Sequence, residues 1–157
     1  MNAGRLEHAP AFLAVSAAAL AACSHTVPDG ENASTLTFEG ARYEKVAGEE
    51  LRSTILGHFL LYRPSPEIIT SPRCDRFHDD GRTYEACGDR VPRIPGTFEI
   101  RRDRVCARTF GGTERCRLLF RSEGHRYVVR DAADGRIQSV CVRPLRDDSS
   151  PCAWESR

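Results

Sequence analysis

The sequence predicts an all-β protein: a single small antiparallel up-and-down β-barrel of about eight strands, preceded by one short helix and held by disulfides. Three observations predict it. From His58 onwards, short runs rich in aromatic and β-branched residues alternate with Gly, Pro and Asp turn signals. No connection between them is long enough for a parallel crossover. Two of the hairpins they suggest are closed by cysteines that the strand register would bring face to face.

The chain begins with a short polar region, Met1 to Pro10, that carries Arg5, followed by the apolar run "AFLAVSAAALAA" from Ala11 to Ala22. That run is too short to span a bilayer and has the size of a signal-peptide core. It ends "LAAC". Leu20-Ala21-Ala22-Cys23 resembles the bacterial lipobox, which implies cleavage before Cys23 and lipidation of its thiol. Ser24 after the cysteine, where Asp would retain an enteric-type lipoprotein at the inner membrane, implies the outer membrane, and more than one acyl chain on the cysteine gives stable anchoring. Residues 1–22 are therefore read as signal peptide, 23–35 as a polar lipidated tether ("SHTVPDGENAST" after the cysteine), and 36–157 as one barrel domain.

Within the domain, "GEELRSTILGHFLLY" offers one short helix, with Glu49 and Glu50 suiting the dipole of the first turn, Leu51, Ile55 and Leu56 on one face, and Gly57 as its end. The expected strands are His58 to Tyr62, Cys74 to His78, Thr83 to Cys87, Thr97 to Ile100, Arg104 to Thr109, Glu114 to Phe120, Arg126 to Arg130 and Arg136 to Val142. Pro64 and Pro66, Asp80-Gly81, Pro92, Pro95-Gly96, Arg102-Asp103, Gly111-Gly112, Glu123-Gly124 and Asp134-Gly135 supply the connectors.

"CDRFHDDGRTYEAC", residues 74–87, fixes one register. A two-residue type I′ turn at Asp80-Gly81 sets Phe77 opposite Tyr84, Arg76 opposite Glu85, Asp75 opposite Ala86 and Cys74 opposite Cys87, in a non-hydrogen-bonded pair whose spacing suits a disulfide. "CARTFGGTERC" likewise pairs Cys106 with Cys116, with Arg108 opposite Glu114. Seven cysteines less Cys23 leave Cys141 and Cys152 as the third pair by elimination. Neither a short Cys-x2-4-Cys metal knuckle nor a Cys-x-x-Cys redox centre occurs, so no metal or cofactor is implied, and structural disulfides require an oxidising compartment.

Charge divides unevenly. Residues 23–92 hold 8 basic and 12 acidic side chains, whereas residues 93–157 hold 14 and 9. Arg101, Arg102, Arg104, Arg115, Arg117 and Arg121 form a candidate patch for an anionic envelope polymer or an acidic protein, set against their ordinary use as solvated strand faces. No nucleic-acid motif is present. Neither Gly-x-Ser-x-Gly, His-Glu-x-x-His nor a phosphate loop occurs, so no catalytic residue is assigned and the chain is read as a non-enzyme. His78 beside Asp79 and Asp80 reads as a hairpin residue, and His58 as a structural group at the barrel interior.

The lipobox, "ELRSTILGHFLLY", the "DDGRTY" hairpin, "GTFEI" at Gly96 to Ile100 and "RVCARTFGGTERC" together resemble the small calycin-like envelope lipoproteins of proteobacteria, relatives in shape of lipocalins and avidins. The resemblance covers about residues 51–145. It implies a barrel anchored in the cell envelope that binds a protein, an envelope polymer or a small apolar ligand. The alternatives are a structural envelope-integrity role or a protease-inhibitor-like barrel. An interior lined by Phe77, Tyr84, Phe98, Tyr127 and Val129 would be open for a ligand or filled as a core, and that choice separates the readings.

Overall fold

The computed structural model describes residues 33–64, 73–88, 91–146 and 152; the expected signal peptide, Cys23 and most of the expected tether lie outside the described residues. In chain order the elements are β1 (Thr35–Phe38), β2 (Ala41–Lys45), α1 (Gly48–Ile55), β3 (His58–Tyr62), β4 (Cys74–Phe77), β5 (Thr83–Gly88), β6 (Val91–Arg101), β7 (Arg104–Thr109), β8 (Arg115–Arg121), β9 (Tyr127–Asp131) and β10 (Ile137–Pro144). Each strand from β3 to β10 pairs antiparallel with the next, and β10 returns to β3, with Val140 opposite Tyr62 and Pro144 opposite His58. The result is a closed eight-strand up-and-down barrel, which leaves few edges to protect.

Alternation along the strands sends Leu60, Tyr62, Phe77, Tyr84, Phe98, Val105, Ala107, Leu119, Val129 and Val140 into one buried cluster. Leu51 and Ile55 of α1 are fully buried in the same cluster, so the helix plugs one end of the barrel. Phe77 stacks edge-on against Phe98 at 5.0 Å and tilted against Tyr84 at 5.5 Å. The interior is thus a packed core at this level, with Tyr127 half-buried against it.

The β1–β2 hairpin is absent from the sequence-based expectation, which placed the tether up to residue 35. It lies on the outside of the wall: β2 continues past the end of β7 to pair with β8 at Glu44–Arg121 and Lys45–Phe120. Beneath it a second apolar cluster of Tyr43, Leu118, Phe120 and Val128 is buried, with Leu36, Phe38 and Ile137 against it. Leu118 and Phe120 therefore face outward yet are not solvent-exposed.

The three cysteine pairs Cys74–Cys87, Cys106–Cys116 and Cys141–Cys152 are all joined. The expected register from Cys74–Cys87 to Phe77–Tyr84 holds throughout, but its turn is not type I′. Gly81 alone has positive φ (69°), and the strands close at His78 N–Thr83 O across a four-residue turn. The Asp80 carboxylate causes this, accepting hydrogen bonds from Arg82 N (2.8 Å), Thr83 N (2.7 Å) and the Thr83 hydroxyl (2.5 Å), which organises the loop from its side chain. Two-residue turns with both central φ positive occur instead at Glu39-Gly40 and Arg102-Asp103.

Pro92 and Pro95 also depart from expectation, because they lie within β6 and not in a connector. The physical reason is edge position. Residues 91–95 pair with β5 only, and β7 joins from Gly96 onward, so the missing N–H groups interrupt no second ladder.

Candidate binding site at the barrel mouth

The end opposite α1 is reached by the turn between β7 and β8, the turn between β9 and β10, and the starts of β4 and β6. Towards that mouth the inward face carries four polar side chains: Tyr62 on β3, Asp75 on β4, Tyr84 on β5 and Arg117 on β8. Period-two alternation puts Tyr62 one step above Leu60, Asp75 above Phe77 and Arg117 above Leu119, while Tyr84 lies opposite Phe77 on the neighbouring strand.

Asp75 is the hub, with a side chain only 7% exposed. The Tyr84 hydroxyl donates to its Oδ1 and the Tyr62 hydroxyl to its Oδ2, each at 2.5 Å, while Arg117 Nη1 pairs with Oδ2. The guanidinium of Arg117 also lies over the Tyr62 ring, 5.4 Å from its centroid. Burial and then the neighbouring Asp75 charge push both phenols well above the usual tyrosine range, so they remain donors. For Arg117, burial opposes the charge, but the Asp75 carboxylate paired with it outweighs burial and the pKa rises. A buried carboxylate is thereby neutralised within the wall by three directed donors.

Above this floor are two adjoining recesses. One, of about 240 Å³, is lined by Asp75, Tyr84, Ala86, Ala107, Arg115 and Arg117 among others. The other, of about 500 Å³, extends across Tyr62, Val129, Asp131 and the turn from Ala132 to Arg136. They share Arg73, Thr113, Arg115 and Arg117. The acidic groups of the larger recess are engaged: Glu114 with Arg101, Asp134 with Arg136 and its amide, and Asp131 with the Ala133 amide. Arg73 and Arg115 have no ion-pair partner among the described residues.

Of the six arginines expected to form one patch, Arg104, Arg115 and Arg117 line the larger recess together, and the other three do not join them there. Arg101, Arg102 and Arg104 line a shallow outer recess around the Cys106–Cys116 disulfide, where Arg101 is paired to Glu99 and Glu114. Arg115 and Arg117 turn to the mouth, and Arg121 sits at the plugged end against Glu50 of α1, 2.5 Å away. The reason is the two-residue period: Arg117 shares the inward face with Leu119, while Arg104 shares the outward face with Cys106.

His58 and His78 are both engaged away from the mouth. His58 Nδ1 donates to Leu56 O at 2.7 Å, where α1 turns into β3. His78 lies 3.5 Å and Arg76 3.4 Å from the same Glu85 oxygen on the outer wall, a charge cluster without hydrogen-bond geometry. The grouping of Cys106, Glu114 and Cys116 is a disulfide beside a carboxylate, its sulfurs committed to each other. Comparison of the chain with protein-family models, with curated proteins and with solved structures returns no match.

Proposed function

We propose that this chain is a non-catalytic binding module of the bacterial cell envelope, anchored through lipid on Cys23 at the outer membrane, which takes its partner at the barrel mouth. One observation carries the reading: the only strongly built polar structure inside the barrel is the Tyr62–Asp75–Tyr84–Arg117 floor among the described residues, and exposed arginines line the recess over it. Below the floor the interior is filled, which argues against an apolar ligand deep in the barrel. Asp75, whose oxygens are occupied by two phenols and a guanidinium, is a fixed charge in this reading and neither a nucleophile nor a base.

The direction of the chain supports the same reading. Ser34 O accepts from Lys45 N, and Lys45 pairs at 3.6 Å with Asp103 in the β6–β7 turn, beside α1. Ser34 thus lies at the plugged end, opposite the mouth. A second reading, in which an acidic protein docks on the outer wall, is favoured by Arg101, Arg102 and Arg104 around the second disulfide.

Co-sedimentation with isolated outer-membrane and cell-wall fractions tests this, using the full chain with Cys23→Ser. Arg73→Gln with Arg115→Gln should release it, as should raised salt, since exposed charges are screened within about 8 Å at physiological ionic strength. Release by Arg101→Gln with Arg102→Gln instead would favour the outer wall.

A further inference from the structure

We propose that the smaller recess at the mouth is a site for a single oxyanion end group, a phosphate monoester or a carboxylate, carried on a larger molecule. The inference rests on the mouth being the binding surface and names what that surface recognises.

The charge balance of the recess is the first ground. Its described charged side chains are Arg73, Arg115 and Arg117 against Asp75 alone. Asp75 does not confront an incoming anion as a free carboxylate, because Tyr62, Tyr84 and Arg117 cap both of its oxygens. Arg117 spends one Nη1 hydrogen there; a guanidinium has five N–H donors in a fixed plane. Its orientation is set by Asp75 on one edge and by the Tyr62 ring beneath. A guanidinium held this way gives up little rotational freedom on meeting a second oxyanion, and arginine matches both carboxylate and phosphate oxygens in pairs. Thr113, on the boundary between the two recesses, adds a hydroxyl.

Shape is the second ground. The recess is about 240 Å³, bounded by Ala86 and Ala107 on the core side and by the Cys74–Cys87 disulfide strands at the wall. A concave site of this size accepts the end of a chain. A polymer running past the mouth would meet only its exposed arginines. On the rim beside it stand two exposed apolar side chains, Phe110 (72% exposed) and Ile94 (40%), with Phe110 N bonded to Pro95 O. They offer a contact for whatever bears the anion.

The experiment is an amide chemical-shift titration of the full Cys23→Ser chain with inorganic phosphate, acetate and dimethyl phosphate, with chloride matching ionic strength. Phosphate or acetate should give saturable shifts at Thr113, Arg115 and Arg117, and whichever saturates identifies the anion. Dimethyl phosphate, which imitates the interior of a polymer, should bind at least about tenfold more weakly. Arg73→Gln with Arg115→Gln should weaken saturation by about tenfold, while Arg82→Gln, in the turn at the plugged end, should leave it unchanged. Shifts that grow linearly and match chloride overturn the proposal, as does full binding by the double variant. If those shifts fail while co-sedimentation still depends on Arg73 and Arg115, the mouth remains the binding surface and the end-group site falls.

Discussion

Asp75 shows what a single residue does here and why its role was hard to see. Its partners Tyr62 and Arg117 are 13 and 42 positions away, so no local motif announces the cluster. The available signal was parity: once Phe77 is read as facing inward, Asp75 two residues earlier must face inward too. The hairpin register was read for Phe77 and Tyr84 as interior residues and for the cysteine pair, but the same alternation was not carried on to Asp75. Asp75→Ala should cost about 3–5 kcal/mol in urea unfolding, because it leaves Arg117 buried without its counter-charge. Arg117→Gln should cost a similar amount, which makes it unsuitable as a surface variant. Asp80 behaves differently, being fully exposed. Hydrogen bonds from the Thr83 hydroxyl and from the Thr83 and Arg82 amides lower its pKa from 3.8 to about 2. A carboxyl with a depressed folded pKa stabilises the fold above its unfolded value and loses that contribution as pH falls. The difference in melting temperature between the wild type and Asp80→Ala should therefore be full at pH 5 and shrink as the pH falls from 3.8 to about 2.

At the scale of elements, the eight barrel strands and α1 were legible because each carries its own pattern and its own turn residues. β1 and β2 were not. "TLTFEGARYEK" turns at Glu39-Gly40, where glutamate is not a residue that favours positive φ, yet Glu39 has φ 47°. The run also adjoins a polar segment and so reads as part of it. Its apolar residues cover the outside of the wall, a role no barrel pattern predicts. Phe120→Ala should accordingly destabilise by about 3–5 kcal/mol although its side chain points away from the interior; a loss under about 1 kcal/mol would mean the hairpin is not seated there. Close strand approach gives a sharper contrast. A Cβ on Gly96 would overlap Arg108 O and crowd the Thr109 backbone, whereas one on Gly88 meets nothing within 4 Å. Gly96→Ala should lower the urea midpoint markedly and Gly88→Ala by little, with the prolines of β6 leaving both ladders otherwise intact.

For the whole molecule, closure joins ends that the sequence keeps far apart: β3 meets β10, and α1 fills the base between them. The disulfides made this topology readable from two hairpins and a remainder, and non-reducing peptide mapping should recover Cys141 linked to Cys152. What composition could not convey was polarity along the barrel axis. Arginines that look like one patch in the sequence divide between the mouth, the outer wall and the plugged end, because a strand changes face at every residue and each hairpin reverses direction. That division moves the candidate site from a surface stripe to an opening. The most direct measurement is an amide chemical-shift map of the full Cys23→Ser chain mixed with solubilised outer-membrane and cell-wall material. Binding at the mouth predicts perturbations at Arg73, Ala86, Thr113 to Arg117 and Asp131 to Gln138, with α1, Phe77 and Phe98 unmoved. Perturbations confined to Arg101 and Arg102, or centred on Phe77 and Phe98 within the barrel, would contradict it.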